Sequence, residues 1–184
     1  MAVSVVDAGI LEALGRTRAS LSGVRDLRWV RDGQLHLTLR FFADLPAGRT
    51  EAAADAARAA CAASPPFRLE LRGLGRFPPH GPLRVVWAGL GLGREALVAL
   101  AGALAGELAA RGFPAEERAF APHLTLARAR DPRGSREAAR AVAAFAPSVG
   151  TLGLQPVDAL VLTRSELGAG PPLHTHLGRF PLSA

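Results

Sequence analysis

The sequence predicts a mixed α and β fold made of two similar lobes, on three observations. Short strand-like runs alternate with longer helical runs rich in Ala, Leu and Arg. That order of elements occurs twice along the chain. Each copy contains the same tetrapeptide, HLTL, at 36–39 and again at 123–126, in a chain with only five histidines. Repetition of a word built on scarce residues points to a duplicated unit with an approximate two-fold axis.

The first half begins with AVSVVD, a strand, followed by a helix over 9–21. LRWV and LHLTLRFF are strands separated by a turn at 31–34, and Phe41 and Phe42 at the end of the second run are core candidates. TEAAADAARAACAAS has the alanine content of a strong helix, with Thr50 as its N-cap and Pro65–Pro66 ending it. FRLELRGL alternates as a strand should. In the second half LRVVWAGL is a strand and leads into a helix over 94–111, stopped by Gly112 and Pro114. PHLTLAR is the next strand, DPRGSR a loop, and Ser135 caps a helix that runs to about Phe145. ALVLTRSEL closes this half as a strand, and LHTHLGRFPL is a last one. No linker rich in Gly, Ser or charge separates independent units, so one domain over 1–184, made of two interleaved lobes, is expected.

A chain of 184 residues can bury a core without covalent staples. Its single cysteine, Cys61, excludes an intrachain disulfide, and no Cys/His spacing resembles a zinc site. The first residues, MAVSVVDAGILEALG, lack a basic n-region and carry Asp7 early, unlike a signal peptide. The longest uncharged apolar stretch, 96–106, is too short to span a bilayer, so a soluble cytoplasmic protein is expected. The net charge of +6 comes from arginine alone, because the chain has no lysine. A field of guanidinium groups favours phosphate-bearing ligands, nucleic acid or nucleotide, over cationic ones.

In a strand, side chains alternate between faces, so the leucines of HLTL anchor in the core while His36 and Thr38 stand together on the other surface. Strand rise separates them by roughly 6.5–7 Å. His123 and Thr125 do the same, and a two-fold axis would bring both polar pairs to one cleft. Two imidazoles across a cleft can act as a base and an acid at once. In-line substitution at phosphorus needs that combination, and threonine hydroxyls can donate to the non-bridging oxygens where charge develops. No metal or cofactor is required. Other candidates read as ordinary structure: His80 in the PPHGP loop as surface, His174 and His176 as edge-strand polarity with no third metal ligand, Trp29 and Trp87 as packing, and GLGLG at 89–93 as too short for a phosphate loop.

With GVRDLRWVRDGQLHLTLRFF, RGLGRFPPHGPLRVVWAGL, RAFAPHLTLARAR, LVLTRSELG and RFPL in this order, the chain resembles the 2H phosphoesterase superfamily over essentially its whole length. It is most similar to the bacterial and archaeal RNA 2′,3′-cyclic phosphodiesterases, also named 2′-5′ RNA ligases. The resemblance implies an α+β bilobal fold with pseudo-two-fold symmetry, two antiparallel sheets lining a central cleft and helices on the outside. It implies a monomer that opens 2′,3′-cyclic phosphate ends of RNA or nucleotides to 2′-phosphates. In those roles His123 would activate water and His36 would protonate the departing 3′ oxygen, while Thr38, Thr125 and Arg128 would bind substrate. Strict alternation from Thr125, however, points Arg128 away from the cleft. Departures from the family pattern are MAVSVV in place of a first strand with Arg and an aromatic residue, Ala121 before the second motif, and His174 and Thr163 in place of tyrosines. Two rival expectations are an ATP-independent, reversible 2′-5′ RNA ligase and an RNA-binding module without turnover.

Overall fold

The computed structural model describes residues 1–131, 135–166 and 173–183. The chain folds into nine strands and four α-helices among these residues. The expected β1 (Ala2–Ser4), α1 (Ala8–Ser20), β2 (Leu27–Trp29) and β3 (His36–Thr38) follow in order. Then come α2 (Thr50–Ala62), β4 (Phe67–Phe77), β5 (Val85–Leu90), α3 (Arg94–Ala110) and β6 (Leu124–Ala129). The chain closes with α4 (Arg136–Phe145), β7 (Thr151–Val157), β8 (Ala159–Glu166) and β9 (Leu173–Pro181).

All strand pairs are antiparallel and form one curled sheet in the order β7-β4-β5-β6-β3-β1-β8-β9, with β2 extending the edge of β6 beyond β3. The two expected sheets meet at β3 and β6, the HLTL strands, which pair through Leu37 and Leu124. Each HLTL strand is thus the innermost of four, β3-β1-β8-β9 on one side and β6-β5-β4-β7 on the other. β4, from the first half of the chain, pairs in the second group, and β8 returns from the second half to the first.

Leu37 and Leu124 are 1% and 0% exposed and join the main core with Leu69, Leu71, Leu97 and Leu104. Helices α2 and α3 pack against each other over this core. A smaller cluster forms beneath α4, where Ala138, Ala139 and Val142 meet Val86, Leu83 and Ala127. Burying each large aliphatic side chain stabilises the fold by roughly 1.5–3 kcal/mol. The face of the sheet bearing the His and Thr of both motifs is left open.

Several local expectations are corrected. Thr50 is the first residue of α2 rather than its cap, because a 3-10 turn over Ala47–Arg49 leads straight into the helix. Arg49 instead donates to the carbonyl of Arg111 at 2.9 Å and lies over the Phe113 ring, tying the start of α2 to the end of α3. Ser135 stands at the start of α4, yet its hydroxyl makes no cap bond and donates to the Leu83 carbonyl. An unforeseen cap is Asp7, whose carboxylate accepts from the Ile10 amide at the start of α1. Phe41 is 69% exposed, because β3 ends at Thr38 and alternation no longer governs it; Phe42 packs on the core against Phe113. The sequence pattern gives no sign of β7. Its Gly153 and Pro156 weaken the strand pattern, and both are tolerated because β7 is an end strand. The expected loop DPRGSR lies outside the described residues over 132–134.

The GLGLG segment is the turn from β5 to α3. Gly93 precedes the helix at φ +79°, and a Cβ there would lie 2.1 Å from the carbonyl oxygen of Arg68. Gly93→Ala is therefore expected to destabilise the protein by at least about 1–3 kcal/mol, the cost of a non-glycine residue in such a conformation. Urea denaturation should show a lower midpoint with an unchanged slope.

Candidate active site

The open face of the sheet forms a cleft of about 340 Å³, lined by His36, Thr38, His123 and Thr125 together. The antiparallel pairing of β3 with β6 brings them there. With Leu37 opposite Leu124 on the core side, the residues flanking each leucine stand on the cleft side.

The two histidines are held alike. Nδ1 of His36 lies 2.7 Å from the carbonyl oxygen of Gln34, and Nδ1 of His123 lies 2.7 Å from that of Ala121. A carbonyl only accepts, so in each ring Nδ1 carries the proton and Nε2 is left to the cleft. A neutral ring of this tautomer is a base at Nε2, and a charged one is an acid there. Since the Ala121 contact comes from the main chain, the small side chain at that position does not alter it.

Arg128 also lines the cleft, against strict alternation. β6 carries one residue more than β5 here: Trp87 pairs with Thr125 and Val86 with Ala127, leaving Leu126 without a partner in β5. Leu126 and Ala127 are both buried, and the side-chain sequence resumes with Arg128 on the cleft face. A bulge of this kind re-aims the next side chain.

Sequence reasoning missed six further residues of the cleft lining, among them Arg28, Arg31 and His174. The His174 ring meets the His36 ring edge-on at 5.5 Å between centroids, so it is part of the site rather than edge-strand polarity. The extra residue Leu177 in β9, between Gly178 opposite Leu162 and His176 opposite Thr163, shifts the facing of this strand end. The loss of parity at both bulges is what alternation could not foresee. His176 and His80 are exposed and absent from the cleft lining. Trp29 packs on the core and contributes to the cleft wall. Trp87 meets His123 edge-on at 6.4 Å, and Phe77 does so at 5.0 Å, fixing the plane of that imidazole. Among the described residues no group of three or more His, Cys, Asp and Glu is placed to hold a metal ion.

Burial lowers the pKa of His36 below its ordinary value; the Gln34 carbonyl opposes this, while His174, the chain's amino group and Arg128 lower it further by like charge. His36 is therefore neutral in the free cleft near neutral pH. Because the unfolded state binds the proton more readily, this group's contribution to stability is complete above its ordinary pKa of about 6.5 and is lost progressively as pH falls from there through the lowered pKa of the folded state.

A curled antiparallel sheet with two His-Thr pairs facing one cleft defines a two-histidine phosphoesterase class, and the comparisons agree. The chain belongs to the 2'-5' RNA ligase superfamily, whose family model matches residues 11–169. The RNA 2',3'-cyclic phosphodiesterase of Methanothermobacter thermautotrophicus is 31% identical over 179 residues, covering 96% of this chain and 95% of that protein. The protein of the same name from Thermus thermophilus is 34% identical over 183 residues, covering 96% and 84%. Among solved structures, a protein of Thermus thermophilus superposes with a TM-score of 0.80 at 29% identity, covering 98% of this chain and 95% of that one. Escherichia coli LigT complexed with 3'-AMP superposes with a TM-score of 0.75 at 27% identity, covering 100% and 96%. Among the described residues no helix is long and apolar enough to cross a membrane.

His174→Gln removes a like charge beside His36 and is expected to raise the pKa of His36. An NMR titration of the imidazole signals checks this, and an unchanged or lowered value would show that the ring contact carries no electrostatic coupling.

Proposed function

We propose that the protein is an RNA 2′,3′-cyclic phosphodiesterase that hydrolyses terminal cyclic phosphates to 2′-phosphates by metal-independent acid/base catalysis, acting as a cytoplasmic monomer. The observation that carries this reading is the matched pair of imidazoles, each with Nδ1 on a main-chain carbonyl and Nε2 left to one cleft. The names of the relatives support the substrate class.

In the proposed step, His123 Nε2 takes a proton from water as the water oxygen bonds to phosphorus. The bond from phosphorus to the 3′ oxygen breaks, and that oxygen takes a proton from Nε2 of His36. The product carries a 2′-phosphate and a free 3′-hydroxyl, and the two imidazoles return to their starting forms by exchanging protons with solvent. The substrate anion raises the pKa of His36 by opposite charge, which lets this ring take up from solvent, as substrate binds, the proton it then delivers. Thr38 and Thr125 donate to the non-bridging oxygens, and Arg128 offsets their charge.

The near-symmetry of the two pairs favours a second reading as well. A ribose 5′-hydroxyl in place of water would run the chemistry as reversible, ATP-independent 2′-5′ joining of RNA ends.

Hydrolysis of a short RNA with a cyclic-phosphate end, in EDTA, should persist in the wild type. His36→Ala and His123→Ala should each lower kcat/KM by about 10²–10⁴-fold, the usual contribution of one acid or base. Turnover lost to EDTA would sink the metal-independent step, and binding without turnover in every form would make the protein an RNA-binding module. The roles separate on a nucleotide 4-nitrophenyl ester, whose leaving group needs no proton. His36→Ala should retain most wild-type activity on it and His123→Ala should not; the reverse pattern exchanges the two roles.

A further inference from the structure

The cleft holds more positive charge than one reacting phosphate needs. β2 pairs with β6 so that Arg28 lies directly opposite Arg128, and both side chains line the cleft. Neighbouring positions of this kind bring Cα atoms to about 4.5–5.5 Å. Like charges placed so are destabilising unless something offsets them. Among the described residues nothing does: neither arginine makes an ion pair or side-chain hydrogen bond there, and no Asp or Glu lines the cleft. Arg18, Arg40 and Arg111, by contrast, each have a carboxylate partner. Arg31 adds a third guanidinium to the same wall.

The opposed pair also stands away from the reacting centre. Arg128 is three positions beyond Thr125 on β6, about 10 Å by strand rise, and the bulge at Leu126 shortens that somewhat. Arg128 reaches back far enough to act on His36 by like charge, while Arg28 stands level with it on the neighbouring strand. A ligand that matches this layout has two phosphate groups, one at the His-Thr pairs and one further along the cleft.

Resting on the reading above of a cyclic-phosphate end at the two histidines, we infer that Arg28, opposed to Arg128, forms a second anion subsite for the phosphate on the 5′ oxygen of the terminal nucleoside. That phosphate is the last internucleotide linkage of an RNA chain. The subsite therefore selects polynucleotide ends over cyclic mononucleotides. Because a free 5′-phosphate offers the same chemistry, the two sources are distinguished by substrate.

The test compares kcat/KM for three substrates in wild type and Arg28→Gln: a 2′,3′-cyclic nucleoside monophosphate, the same compound with a 5′-phosphate, and a dinucleotide with a cyclic-phosphate end. Wild type should prefer the two phosphate-bearing substrates by about tenfold or more, and the variant should reduce that ratio to about threefold or less. A higher value for the dinucleotide than for the 5′-phosphate compound identifies the RNA linkage as the natural occupant. No preference in wild type, or a preference that survives in Arg28→Gln, overturns the subsite. Calorimetric binding of a nucleoside 2′-phosphate and a nucleoside 2′,5′-bisphosphate gives the same comparison without turnover. If no substrate is turned over but the bisphosphate binds more tightly in an Arg28-dependent way, the catalytic reading fails and the subsite stands.

Discussion

The antiparallel contact of the two HLTL strands, with Leu37 against Leu124, is the constraint on which the rest of the molecule depends. The leucines turn inward because they are apolar, and the pleat then leaves His36, Thr38, His123 and Thr125 no choice but the opposite face. A slip of one residue in this pairing would bury the imidazoles and expose the leucines. The hydrophobic core and the polar cleft are thus two sides of one register. The helices stabilise the site only indirectly, by covering the apolar face that holds the register.

Electrostatics in the cleft follow from that geometry. Burial and neighbouring positive groups keep His36 neutral, and a phosphate ester is the kind of ligand that reverses the effect of those charges by bringing a negative one to the ring. The surplus of guanidinium groups on the β2–β6 side has the same character. It is costly in the empty protein and is offset when an anion is present. Folding stability and ligand affinity are opposed at this wall, and function takes precedence there.

Much of this was legible in the sequence, because periodicity reports which face a side chain takes. The strands and helices flanking both motifs, the duplicated order and the two His-Thr pairs could all be placed from residue types alone. What escaped were features that break periodicity. The extra residues Leu126 and Leu177 alter strand parity, so Arg128 and His174 reach the cleft although alternation or composition gave no sign of it. Arg28 was invisible for another reason: in a chain whose positive charge is all arginine, one more arginine in a strand carries no signal until its cross-strand partner is known. β7 hid behind a glycine and a proline that only an end strand admits.

The carbonyl groups that hold both imidazoles have a consequence for how this site can vary. An orienting contact made by an aspartate or asparagine can be lost in a single substitution, whereas the oxygen of Gln34 or Ala121 belongs to the peptide bond and is present whatever the side chain. Neither contact therefore depends on which side chain stands at 34 or 121, provided the backbone keeps its path. The proton position that makes each histidine useful is written into the course of the chain, out of reach of point substitutions that leave that course intact.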